Sequence, residues 1–305
     1  MTRAWPRRGP RLARTVTVMA GGEPDAGLPD SGLSAVPLAQ TARWIAAVRA
    51  RESRRPDRLF DDPWAAGLAG TAGEEWLRAR EDAPALAIMV VRARFFDDFL
   101  ARAVAADGVR QVVLVAAGLD TRGYRLSWPA GLRLFELDQP GVLAQKQEFL
   151  DGAGAVPGCA RRPVGVDLAG QWTPALLDAG FDPESPSCWL LEGFLFYLPP
   201  AGIARLLDEV TGLAAAGSRL GFDIVNTATF THPLTRPWID MQARLGAPWR
   251  GALDDPAGFL AGRGWEATLT QPGEPSANFG RWPFPILPRE LPGMPRDWLV
   301  TARRG

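Results

Sequence analysis

Gly118 and Asp138 lie 20 positions apart, and each falls at the end of an apolar run. Gly118 closes a turn of small residues, Ala116-Ala117-Gly118, after the run 111–115; Asp138 ends a second run, 133–138. In a dinucleotide-binding βαβ unit an acid about 20 residues beyond the glycine turn accepts the ribose hydroxyls. The spacing therefore predicts a nucleoside cofactor. In a three-glycine fingerprint the aligned positions are Ala116, Gly118 and Asp120, of which only Gly118 is glycine. A carboxylate at the third position opposes a pyrophosphate, whose charge needs backbone amides. S-adenosylmethionine has ribose and adenine but no phosphate, and its ammonium and sulfonium suit Asp120. The other reading of this stretch is a structural crossover with no ligand.

Further strand ends carry further candidates. A strand near 160–167 ends at Asp167-Leu168. There an acid can accept from an adenine amino group while Leu168 packs on the ring, or it can cap the following turn. Glu192 follows the apolar run 188–191, and a carboxylate buried there without a partner costs several kcal/mol. It reads as functional or paired. Tyr197 comes five residues later. His232 is the only histidine, which excludes a catalytic pair or metal centre that needs two imidazoles. Cys159 and Cys188 lack metal-type spacing and read as free thiols of a reducing cytoplasm. No metal is expected.

The words of the sequence resemble a family. AAGLDTRGYRL with FELDQPGVLAQK, VVRARFFDDFL at 90–100, VDL at 166–168 and LLEGFLFYLP at 190–199 resemble the leucine carboxyl methyltransferase-like group of class I S-adenosylmethionine-dependent methyltransferases, including its bacterial polyketide O-methyltransferase branch. The resemblance spans about 40–225 and departs at Ala116, where that group often has glycine. It implies a Rossmann-like, doubly wound α/β sheet of seven strands with an antiparallel last strand. It implies S-adenosylmethionine as cofactor, contacted by Arg92, Ala116, Gly118, Asp120, Asp138, Asp167, Leu168 and Glu192. Arg92 is placed beside the cofactor or a substrate carboxylate, with Tyr197 as a hydroxyl donor.

These residues need elements to position them. Runs 111–115, 133–138, about 160–167, 188–191 and 218–225 predict parallel strands, and 264–270 with 298–303 the antiparallel end. Residues 83–105 show helical spacing through Leu86, Met89, Val90, Ala93, Phe96, Leu100 and Val104; Arg92 and Arg94 fall off that stripe. Asp62 with Pro63 reads as a helix N-cap, and Gly217 as the C-cap of a helix begun at Pro200. Residues 1–35 lack apolar periodicity and predict a disordered arm, not a secretory signal; 36–305 predict one domain with an N-terminal helical cap (about 38–105) and a lid insert (about 226–262).

Charge narrows the partners. With 34 basic and 34 acidic residues there is no global field toward nucleic acid or an anionic membrane, and no run is long enough to span a bilayer. The reading is a cytoplasmic monomer or homodimer acting on a small molecule. The aromatic lid suits an apolar, aromatic acceptor, and the resemblance implies a polyketide-like one. A carboxylate acceptor is ionised at neutral pH and needs no base, whereas a phenol near 10 benefits from one. With a single histidine, carboxyl methylation is the economical expectation. The alternatives are a phenol methylated with His232 as base, and a non-methylating cyclase or binding protein on the same scaffold.

Overall fold

The computed structural model describes residues 35–80 and 85–305. The arm expected over 1–35 therefore lies outside the described residues, save Ala35. Nine helices are assigned among those described: α1 (Ala35–Ser53), α2 (Ala65–Arg78), α3 (Ala85–Ala105), α4 (Arg122–Arg125), α5 (Pro140–Gly152), α6 (Thr173–Asp178), α7 (Pro200–Leu213), α8 (Arg236–Arg244) and α9 (Pro256–Ala261). The strands are β1 (Gln111–Val115), β2 (Arg133–Asp138), β3 (Ala160–Gly165), β4 (Cys188–Leu191), β5 (Arg219–Val225), β6 (Trp265–Thr270) and β7 (Asp297–Arg304). They form one sheet in the order β3-β2-β1-β4-β5-β7-β6. The pairs within β1 to β5 are parallel, and β7 runs antiparallel to both β5 and β6.

All five residues of β1 are buried, because helices cover both faces of the sheet. Alternation sends Val113 and Val115 to one face, where they pack with Phe135, Trp189 and the apolar stripe of α7. Val112 and Leu114 point the other way, to Phe95, Phe96 and Phe99 of α3. Burying Ile203, Leu206, Leu207 and Val210 on α7 contributes roughly 1.5–3 kcal/mol each. Close packing of α3 on the sheet also fixes one glycine: a Cβ on Gly221 would lie 2.7 Å from a ring carbon of Phe99. A third cluster joins Trp44 and Val48 of α1 to Leu68 of α2 and to Leu86, Met89 and Val90 of α3.

Three local expectations are corrected. Asp62 is not the N-cap residue, since α2 begins at Ala65 after Trp64; the buried Asp62 carboxylate accepts from the Trp64 amide at 3.3 Å, and also from Arg49 Nε at 2.8 Å and Thr121 Oγ1 at 2.7 Å. Gly217 is no C-cap either, since α7 ends where Ala214 turns to extended backbone, and Gly217, with φ of 83°, makes the turn into β5. Strand β3 stops at Gly165, so Asp167 stands in the loop beyond it.

Strand β1 lies between β2 and β4, and the chain winds outward from it in both directions. Such a reversal leaves a crevice at the carboxyl ends of the central strands.

Candidate active site

A cleft of about 1360 Å³, its solvent-open mouth included, occupies that crevice. Its walls come from the ends of β1 to β4, from α1 through Thr41, Ile45 and Arg49, and from Arg92 of α3. Ala116, Gly118, Asp120, Asp138, Asp167, Leu168, Glu192, Arg92 and Tyr197 all line it, though they are spread over a hundred residues of sequence. His232 does not. It sits between the 3₁₀ turn at 227–230 and α8, where its Nδ1 accepts from the Leu234 amide at 3.3 Å.

The floor of the cleft is backbone. Ala116 and Gly118 have φ of 56° and 48°, so the chain turns sharply after β1. For an alanine this left-handed conformation costs about 1–2 kcal/mol, and the turn keeps its shape despite the methyl group. Asp138 holds the turn. Its Oδ2 accepts from the Gly118 amide and its Oδ1 from the Gln139 amide, both at 2.7 Å. Burial lifts its pKa above the ordinary value, and the two amides oppose that shift. Each oxygen still has a lone pair for a hydroxyl. Underneath, the fully buried Lys146 donates to the Asp120 carbonyl at 3.1 Å and pairs with Glu136 at 2.7 Å.

The opposite wall is a ladder of buried ion pairs. Arg125 grips Asp97 with both Nη atoms, at 2.6 and 2.7 Å, and Arg122 Nε shares the same carboxylate at 2.7 Å. Arg122 Nη1 then meets Asp120, and its Nη2 lies 2.7 Å from Glu192 Oε2. That last contact is off the N–H direction and is an ion pair without a hydrogen bond. Glu192 Oε1 accepts from Arg92 Nε at 3.0 Å, and Asp223 Oδ2 from Arg92 Nη1 at 2.7 Å. Arg92 Nη2 makes no hydrogen bond to a described residue. Asp297 stands next in line, its Oδ1 closed off from solvent with no hydrogen-bond partner among the described residues.

Charge in the ladder is unbalanced, with three arginines facing Asp97, Asp120, Glu192, Asp223 and Asp297. The imbalance falls on the last member. Burial and the neighbouring Asp223 push Asp297 up to about 7, against the pull of Arg92. At the other end burial is overridden by Arg122 and Arg125, which hold Asp120 at about 2. Asp120 is therefore no free anion awaiting an ammonium: its Oδ1 accepts from the Arg122 amide at 2.6 Å and its Oδ2 meets Arg122 Nη1.

Aromatic rings close the remaining side. Tyr197 is buried against Phe196, with ring centroids 4.9 Å apart, and Phe196 lies on Trp249 at 4.1 Å. Trp249 meets Trp238 of α8 at 6.1 Å, and Trp238 meets Trp44 of α1 at 5.7 Å. Burial raises the Tyr197 phenol above its ordinary value. Beyond the end of β3, Asp167 Oδ1 accepts from the Ala169 amide at 2.9 Å, so this acid caps its turn while it lines the cleft.

Sequence reasoning singled out neither Arg122, Asp97 and Asp223 nor Arg49. Arg49 reaches the cleft from α1, with Nε on Asp62 and Nη2 on the Leu119 carbonyl at 2.6 Å. A lone acid in the apolar strand LGFDIV was the available signal for Asp223.

This seven-stranded sheet, with its antiparallel β7 and its crevice at β1 and β4, is a class I methyltransferase-like fold. A Streptomyces avermitilis protein of the DUF574 family shares it, with a TM-score of 0.63 at 16% identity over 87% of this chain and 97% of that one. So does a Thermobifida fusca protein named as a methyltransferase, with a TM-score of 0.58 at 17% identity over 86% and 94% of the two chains. Residues 42–211 match the leucine carboxyl methyltransferase family. Relatives named as S-adenosyl-L-methionine-dependent methyltransferases include one from Saccharopolyspora erythraea, 40% identical over 87% of this chain and 94% of its own. Another, from Mycolicibacterium smegmatis, is 39% identical over 81% and 89%. The chain belongs to the leucine carboxyl methyltransferase family of S-adenosylmethionine-dependent methyltransferases.

Proposed function

We propose that the cleft seats S-adenosylmethionine along the ends of β1 to β3 and passes its methyl group to a carboxylate oxygen of a small, largely apolar acceptor held at the aromatic side. In this reading Asp138 accepts from the ribose hydroxyls, Asp167 and Leu168 meet the adenine, and Arg92 Nη2 takes the carboxylate of the cofactor's amino-acid end. The cofactor supplies an electrophilic methyl on sulfur. The protein supplies alignment of the acceptor oxygen and exclusion of water.

The observation that carries the choice of a carboxylate is the lack of a free base on the acceptor wall. Among the described residues lining the cleft, Asp120 and Glu192 are bound by arginines, and Tyr197 is a weaker acid than an ordinary phenol. His232 does not line the cleft. An acceptor that arrives ionised needs none of these. Release of S-adenosylhomocysteine, measured against panels of aromatic carboxylic acids and phenols with wild type and His232→Ala, tests the reading. Turnover of carboxylic acids unaffected by His232→Ala is the expected result; turnover confined to phenols and lost in that variant overturns it.

A further inference from the structure

Arg92 reaches the cleft from α3, and a guanidinium on a long flexible stem is a poor fixed point unless something holds it. Two carboxylates hold it here, and they differ in kind. Glu192 lines the cleft itself, whereas Asp223 lies wholly beneath the surface, on β5, and is absent from the cleft lining. The register explains its reach: Leu191 pairs with Phe222, so Asp223 comes level with Glu192 and the turn that follows. One Asp223 oxygen accepts from Arg92 Nη1 at 2.7 Å, and the other from the Gly193 amide at 2.6 Å. Gly193 itself has φ of 69°, and a Cβ there would lie 2.9 Å from Arg92 Nη2. Strand, turn and arginine thus meet at one buried side chain.

Both hydrogen-bond partners of Asp223 are donors, so both of its side-chain heteroatoms must accept. Only a carboxylate does that; an amide of the same shape would turn an NH₂ group toward one of the two N–H groups. We propose that Asp223 is a positioning residue for cofactor binding: it fixes the Arg92 guanidinium and the Gly193 turn together, so that Arg92 Nη2 faces the amino-acid end of S-adenosylmethionine. This rests on the placement of that end against Arg92 proposed above.

Two nucleosides separate positioning from general support of the fold. S-adenosylhomocysteine carries the amino-acid end, and 5′-methylthioadenosine lacks it. In calorimetry Asp223→Asn is expected to weaken S-adenosylhomocysteine binding about tenfold or more while 5′-methylthioadenosine stays within about twofold of wild type. Equal weakening of both ligands, or of neither, overturns the positioning role. Should Asp223→Asn fail to fold, Arg92→Met/Asp223→Asn removes the buried pair together, a change that cores tolerate far better than one orphaned charge. That double variant is expected to bind S-adenosylhomocysteine as Arg92→Met alone does, and a further loss of about tenfold overturns the proposal. A wild-type protein with no preference for S-adenosylhomocysteine over 5′-methylthioadenosine refutes the placement of the amino-acid end at Arg92, and the role of Asp223 falls with it.

Discussion

The two sides of the cleft are made from different materials. Below β1 and β2 the wall is main chain, shaped by a tight turn and fixed by one carboxylate that accepts from the amides of Gly118 and Gln139. Beside β4 and β5 it is side chain, a ladder of arginines and acids drawn from α3, α4, β4 and β5, with Asp297 of β7 at its end. The first side is local in sequence and presents a shape. The second joins hydrogen-bonded partners up to 131 residues apart and presents charge. Damage to them should therefore differ: loss on the main-chain side should appear in ligand binding, and loss at the ladder's centre should first appear in folding.

The largest effect is expected at the ladder's centre. Arg122→Ala leaves Asp120 and Glu192 short of a cation, and breaking a buried pair from one side costs about 3–5 kcal/mol. Denaturant melts should show that loss; a change under 1 kcal/mol would mean that water enters the ladder freely. On the other side Asp138→Ala is expected to raise the dissociation constant for S-adenosylmethionine by about 10–100-fold, since hydrogen bonds to a charged group contribute about 1.5–3 kcal/mol. An unaltered constant would remove Asp138 from the ribose.

Two smaller tests sharpen the contrast. Asp297 binds its proton up to about 7 in the folded chain but releases it near the ordinary carboxylate value once unfolded. Between those two pH values the folded state holds the extra proton, so this group's contribution to stability falls as pH rises through the window. Asp297→Asn cannot ionise. It should melt higher than wild type at pH 8, by on the order of 1–2 kcal/mol, and nearly level with it at pH 4. Equal melting temperatures at both pH values would show that Asp297 is ionised without penalty. At Ala116, a glycine relieves the left-handed backbone but adds freedom to the unfolded chain. Ala116→Gly is expected to gain up to about 1 kcal/mol, read in the same denaturant melts; a loss would mean that the methyl group packs usefully in the turn.

The same division governs what could be read beforehand. Strand runs, the small-residue turn and the acid 20 positions beyond it are short-range patterns, and β1, β2 and β4 begin and end at the expected residues. Arg92 was assigned to the cleft by family wording, not by periodicity, because a helical wheel places it off the apolar stripe and cannot show that two carboxylates await it there. Asp120 shows the limit from the other side. Its position in the turn is legible, but its charge is cancelled by Arg122 two residues on, whose burial depends on the packing of α3. Pairing partners of buried charges are tertiary facts, and only the suspicious acid in an apolar strand marks where to look.

The row of rings from Trp44 through Trp238, Trp249 and Phe196 to Tyr197 has an optical consequence. Neighbouring centroids along it are separated by 4.1 to 6.1 Å, close enough for excitation to pass between adjacent rings. Its far end is a wall of the cleft and its near end belongs to the helical layer of α1. A ligand seated against Tyr197 should thus change the emission of tryptophans well away from it, giving the protein a native fluorophore for titrating acceptors that carry no label.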